Sequence, residues 1–287
     1  MIELTIHHRT VYRYQYAVSF GPHRLMLRPR ESRDLQLLSH VVTITPDAAM
    51  TWALDVFGNA VATAIFQTPD AGLVIDSRAA IRLDVKPGPS FDLATTALTY
   101  PFQYSDDEWT DLGALTVLQY PDPEALLSAW AQGFVRGDRT GTLALLMDLS
   151  HGVSQRITYQ SREVEGVQSP TVTLNCRTGS CRDFAVLFAE AARCLGFGAR
   201  VVSGYLYNPT QQSVGSADAG STHAWAEVYL PGAGWITFDP TNRSIGGANL
   251  IPVAVGRDIR LTMPMAGSFI GSTDAFQGMS VQVTVAA

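Results

Sequence analysis

The sequence predicts an α+β protein. A β-sandwich-like N-terminal domain precedes a mixed domain in which a helix bearing a cysteine lies on an antiparallel sheet. Three observations predict this. Residues 1–90 read as short strands rich in β-branched and aromatic residues, separated by turn residues. Residues 121–200 carry apolar residues at helical spacing. Residues 200–242 return to period-two alternation on both sides of a Pro-Gly-Ala-Gly turn.

In the first part, Leu4–Tyr14, Leu35–Ile44, Thr51–Val56, Val61–Phe66 and Leu73–Val85 read as strands, with Phe57-Gly58-Asn59 as a hairpin turn. His7 and His8 are adjacent, so on a strand they face opposite ways and do not share a metal. Pro87-Gly88-Pro89-Ser90 is the clearest linker signal. Residues 91–120, mixed and aromatic, read as an irregular connector between domains, and residues 121–287 as the second domain. Leu126, Leu127, Trp130 and Phe134 mark one helix. A second spans about Gly141 to Ser154, with Leu143, Leu146, Met147 and His151 along one side. Met279 to Val285 alternates as a strand that fits either domain.

Bulk properties narrow the function. The 287 residues give a soft prior of about two domains. Charged residues make up 16%, and the net charge is -6, so no basic footprint for nucleic acid is present. Arg28, Arg30 and Arg33 form the densest basic stretch and read as a solvated face. The opening residues lack a signal-peptide pattern, and no stretch reaches ~18 uninterrupted apolar residues. A cytoplasmic protein without a membrane partner is expected. Three cysteines, Cys176, Cys181 and Cys194, are an odd and small number, which fits reduced thiols better than a disulfide framework.

One of the three has a reason to react. In Gly179-Ser180-Cys181-Arg182-Asp183-Phe184, Ser180 suits an N-cap and Asp183 the first turn. Phe184, Leu187, Phe188, Ala191 and Leu195 then form an apolar stripe, and Gly196 stands where a helix ends. Cys181 therefore opens a helix, where unpaired N–H groups and the dipole lower a thiol pKa from ~8.5 and can receive an oxyanion. His223 begins a strand in which His223, Trp225, Glu227 and Tyr229 face one way and Ala224, Ala226, Val228 and Leu230 the other. A four-residue turn, Pro231 to Gly234, sets Leu230 opposite Trp235 and His223 near Asn242; a bulge or diagonal pairing then brings in Asp239. Asp239, before Pro240, is held extended and can fix the imidazole.

These blocks, with Leu195-Gly196-Phe197-Gly198-Ala199-Arg200 and Gly234-Trp235-Ile236-Thr237-Phe238-Asp239-Pro240, resemble the transglutaminase-like cysteine-protease superfamily. The resemblance implies a papain-like α+β core with Cys181, His223 and Asp239 as catalytic triad. The preceding β region looks like the bacterial branch. Arg182 departs from the Gln common there. The implied chemistry is acyl transfer through a thioester, without a cofactor, on a peptide or protein substrate. Hydrolysis (a peptidase or amidase) is the favoured outcome, since no second amine-binding feature is visible. Amine capture by a transglutaminase and a non-catalytic binding module are the alternatives.

Asn175, Tyr205 and Trp225 are the residues offered for substrate contact, although Trp225 fits core packing better, as does Trp235. The polar stretch from Asn208 to Ser221 could line the same cleft. Cys194 reads as inert core and Cys176 as a supporting residue on the loop before the helix. A zinc site from Cys176, Cys181 and a His lacks a C-x-x-C pair, and no metal is expected.

Overall fold

The computed structural model describes residues 1–84, 90–137, 139–161, 166–208 and 220–287. The Pro87-Gly88-Pro89 linker signal and most of the polar loop, 209–219, lie outside the described residues.

The N-terminal region is built from β1 (Ile2–Phe20), β2 (His23–Leu25), β3 (Leu35–Thr45), β4 (Ala48–Leu54), β5 (Ala60–Phe66) and β6 (Asp70–Leu83). The β4–β5 turn needs Gly58, whose φ is 71°. His7 and His8 do point apart. His7 Nε2 lies 2.7 Å from Asp76 Oδ2, whereas His8 is buried with its Nδ1 3.0 Å from the Tyr205 hydroxyl.

Next come β7 (Thr99–Tyr100), α1 (Asp106–Leu112), α2 (Leu126–Gln132), β8 (Thr140–Gly141), α3 (Thr142–Arg156), β9 (Thr158–Tyr159), α4 (Pro170–Cys176), β10 (Thr178–Gly179) and α5 (Cys181–Cys194). Residues 91–120 are not an interdomain connector. They pack on the C-terminal core through Phe91, Leu93, Tyr100 and Phe102. They also hold α1, opened by a capping box in which Glu108 accepts the Ser105 N–H. On α3 the buried large apolar residues are Leu145, Leu146, Leu149 and Val153; Met147 is exposed, so the apolar face is rotated from the expected one.

β11 (Ala199–Tyr207), β12 (Gly220–Leu230), β13 (Gly234–Asp239), β14 (Ser244–Ile245) and β15 (Leu250–Gly256) follow, and then β16 (Met265–Ala266), β17 (Phe269–Ile270) and β18 (Phe276–Ala286). The core sheet runs β14-β13-β12-β11-β15, antiparallel throughout. Helix α5 crosses β12 and β11 on one face, ringed by α2, α3 and α4. Among the described residues no helix is long and apolar enough to cross a membrane.

The last strands correct the division at residue 121. β18 runs antiparallel to β1 from Thr5↔Ala286 to Tyr14↔Phe276, β17 pairs with the far end of β1, and β16 with β2. They complete the two N-terminal sheets, β17-β1-β6-β3 with β18 on β1, and β16-β2-β5-β4. The N-terminal sandwich therefore contains residues from both ends of the chain.

The sandwich covers the second face of the core sheet. Leu4, Ile6, Met26, Ile81 and Val285 share a buried cluster with Tyr205, Ile251, Val253 and Ala254. Asn59, fully buried, clamps the junction: its Nδ2 donates 2.8 Å to the Val255 carbonyl and its Oδ1 accepts the Val255 N–H at 2.9 Å. Arg30 donates to the same Oδ1 at 2.6 Å and is half-buried, not part of a solvated face.

Candidate active site

Cys181 is the first residue of α5, with Ser180 extended at the N-cap (φ −89°, ψ 177°). Asp183 does more than complement the helix dipole. Its Oδ2 accepts the Ser180 N–H and the Ser180 hydroxyl, each at 2.8 Å, and its Oδ1 accepts the Gln168 N–H at 2.7 Å. The residue is wholly buried and knots the segment just before the thiol to a strand of chain fifteen positions upstream. Gly179 allows this closeness, since a Cβ there would sit 2.9 Å from Asp183 Cβ. Asp183→Ala strands the two buried donors of Ser180 and the part-buried Gln168 N–H, and a loss of about 2–4 kcal/mol is expected. Denaturant melts read it; a loss below about 0.5 kcal/mol would refute the knot.

A short parallel ribbon carries Tyr159 to the same place. Thr158↔Thr178 and Tyr159↔Gly179 are paired, tied by Thr158 N–H to Arg177 O and Gln160 N–H to Gly179 O, both 2.8 Å. Neither this ribbon nor α4, with Ser169 as N-cap and Pro170 at its start, was anticipated. Ser169-Pro170 was the available signal.

His223 lies on β12, which begins at Gly220, so the residue is inside the strand and not its first member. The β12–β13 register is one residue off the expected one: Leu230 pairs with Gly234 and Tyr229 with Trp235. The connection is three residues long, with Gly232 left-handed at φ 85°. Pairing runs to Ala226↔Phe238. Continued outward, it sets Trp225 against Asp239 and His223 against Thr241, so His223 and Asp239 meet diagonally on one face. His223 Nε2 lies 2.8 Å from Asp239 Oδ2. The carboxylate is fixed in turn: Oδ1 accepts the Thr241 N–H at 3.0 Å, and Oδ2 accepts from Asn242 Nδ2 at 2.8 Å.

The other imidazole nitrogen, Nδ1, is buried without a hydrogen bond of ordinary geometry, yet the ring and the thiol perturb each other. Burial alone would raise the thiol pKa; the imidazole, the Ala224 N–H and the Arg182 guanidinium outweigh it and hold the thiol low. Burial alone would lower the imidazole pKa; Asp239 first, then the thiol, reverse this and raise it to about 10. Burial would also raise Asp239, and His223 and Asn242 bring it down. All three directions favour thiolate, imidazolium and carboxylate together. His223 and Asp239 are buried, whereas Cys181 keeps partial exposure.

Beside these residues is a cleft of about 290 Å³ lined by Ser154, Ile157, Tyr159, Phe184, Thr241, Asn242 and Arg243. The substrate contacts expected from the sequence lie elsewhere. Tyr205 is 3% exposed and its hydroxyl faces His8 across the domain junction. Trp225 is 1% exposed, packs with Val202, Leu206 and Val255, and stacks against His223 at 6.2 Å. Neither presents a surface to a ligand. Asn175 is exposed on α4 and outside the lining of the cleft. Cys176 is exposed at the end of that helix and not on a loop. Cys194 accepts a hydrogen bond from Ser128 at 3.5 Å, and burial raises its pKa. Among the described residues no group of three His, Cys, Asp or Glu could hold a metal ion.

A helix-borne thiol, a strand-borne imidazole and a carboxylate on the next strand define a class. Residues 128–240 match the transglutaminase-like superfamily and residues 4–82 the bacterial transglutaminase-like N-terminal region, so the chain belongs to the transglutaminase-like superfamily. An uncharacterized protein of Mycobacterium tuberculosis strain H37Rv is 29% identical over 290 residues, covering 96% of this chain and 90% of that one. An uncharacterized protein of Mycobacterium leprae is 24% identical, with 99% of each chain covered. The crystal structure of a "putative cysteine protease" from Cytophaga hutchinsonii superposes with a TM-score of 0.75 at 18% identity, over 99% of this chain and 90% of that one. At that identity the likeness speaks for the fold.

Proposed function

We propose that the protein is a cysteine peptidase or amidase that cleaves amide bonds through a thioester on Cys181. The observation that carries this reading is the buried His223, bonded to Asp239 through Nε2 and close enough to Cys181 that each perturbs the ionisation of the other. The thiolate attacks the acyl carbon, and the N–H groups opening α5, which no preceding turn can accept, stabilise the oxyanion. The His223 imidazolium protonates the departing amine, and neutral His223 then activates water to hydrolyse the thioester. Asp239 keeps the ring oriented and stabilises its charged form. The cycle needs side chains and water only. An amine in place of water would make the same enzyme a transglutaminase.

Two measurements test this. With iodoacetamide near neutral pH, Cys181 is expected to alkylate on the order of tenfold faster than Cys194, and faster than the more exposed Cys176. Equal rates at Cys181 and Cys194 would sink the nucleophile. A Gln-peptide incubated with a labelled amine separates the outcomes: free acid without incorporated label supports hydrolysis, and incorporated label reassigns the enzyme to transfer.

A further inference from the structure

The cleft beside Cys181 has a polarity of its own. Its floor is apolar, from Ile157, Phe184 and the Tyr159 ring, and no Asp or Glu is among its described lining residues. Asp239, the nearby carboxylate, is buried and committed to His223 and Asn242. At the rim stands Arg243. Its backbone is left-handed at φ 55°, uncommon for a residue other than glycine and found where a neighbouring structure dictates the direction of the chain. Its Nε donates to Ser154 Oγ at 2.8 Å, which anchors the guanidinium across the cleft mouth. That hydroxyl is its sole hydrogen-bond partner among the described residues, which leaves both terminal nitrogens uncommitted among them. In a chain of net charge -6, a slot near the thiol with a cation at its rim and no acid among its described lining residues favours negative charge.

We infer that, in the acyl-transfer reaction of Cys181, the cleft takes a substrate bearing a carboxylate and that Arg243 binds this carboxylate through its terminal nitrogens. The assignment rests on Cys181 being the nucleophile. A planar fork presented from an anchored Nε suits a carboxylate, which accepts two parallel N–H bonds. The apolar floor takes the aliphatic stem that joins the carboxylate to the acyl group. An acidic side chain and a free C-terminal carboxylate share this chemistry.

The test uses the intact protein and thiol-alkylating probes that differ only in charge. One pair is the iodoacetylated α-amides of glutamate and glutamine; the other is iodoacetyl-alanine and its amide. Alkylation of Cys181, followed by peptide mass mapping, is read as the ratio of acidic to neutral rate within each variant, so a general change in thiol reactivity cancels. In the wild type one acidic probe is expected to lead its neutral partner by about tenfold, the gain from a charge-assisted fork. The glutamate pair responding points to an acidic side chain, and the alanine pair to a chain terminus. The ratio is expected to fall to about one in Arg243→Gln and to lie between in Arg243→Lys, which keeps charge without the fork. A wild-type ratio near one for both pairs overturns the assignment. So does a ratio that survives in Arg243→Gln, because the selectivity then comes from the general field, Arg182 included. If neither probe distinguishes Cys181 from Cys194, the nucleophile itself is wrong, a failure separate from that of the carboxylate site.

Discussion

Cys181→Ala is expected to abolish amide cleavage, by at least about 10⁴-fold in kcat, since residues acting as one unit lose nearly everything when the nucleophile goes. The structure explains why nothing substitutes. Cys176 is exposed on the neighbouring helix and Cys194 closes the far end of α5, bonded to Ser128. Neither adjoins His223. Folding stability should stay within about 1–2 kcal/mol, because a small, partly exposed side chain is removed and Asp183 still holds the helix start. Turnover of any peptide amide cleaved by the wild type, followed alongside a thermal melt, measures both. Residual activity within tenfold of wild type would mean that the reaction runs on another group.

Asp239→Asn is the second large effect, on the order of 10²- to 10⁴-fold, and its pH signature is more informative than its size. In the wild type the thiol is pushed down and the imidazole up to about 10. Activity should thus rise on the acid side as the thiol deprotonates and fall on the alkaline side as the imidazolium is lost. Removing the carboxylate's charge withdraws the largest influence raising His223. The alkaline limb then moves down. With less imidazolium nearby the thiolate is less stabilised, so the acid limb moves up. The window narrows from both sides, a change that kcat/KM against pH detects directly. A uniform drop with unmoved limbs would show that Asp239 serves the fold and not the ionisation. Asn242 sharpens the comparison. Its Nδ2 donates to the carboxylate, and an amide at 239 offers a donor where an acceptor stood.

The three residues of the proposed site were legible as a group because each sits near a local signal. Ser180 before an apolar helical stripe placed Cys181, and alternation around a glycine-bearing turn brought His223 and Asp239 to the same end of one hairpin. The expected register left them on opposite faces unless a bulge or diagonal pairing intervened, and the observed register puts them on one. The one-residue error in register came from reading Gly234 as part of the turn when it already pairs with Leu230. What stayed hidden depends on distance along the chain. The Asp183–Gln168 bond and the Tyr159–Gly179 pairing join separate segments by side-chain reach and by a two-residue parallel ribbon, too short to leave a period. Tyr205 was misread for a related reason, whereas Trp225 is the core residue its sequence context favoured. The face of the sheet that carries Tyr205 alternates like a surface, but the N-terminal sandwich lies over it, as the cluster shared by Tyr205 and Ile81 shows. Alternation in sequence tells which residues share a face, not whether another domain covers it.

The pairing of β18 with β1 also sets a timetable for biosynthesis. Thr5 leaves the ribosome 281 positions ahead of its partner Ala286. At elongation rates of about 5–20 residues per second, one flank of β1 stays open for tens of seconds. The helices around Cys181 and the β11–β15 sheet are complete before that gap closes. The segments that build the thiol centre are thus made while the sandwich is still unfinished, and a ribosome stalled before residue 276 would present the raw edge of β1 to any strand within reach.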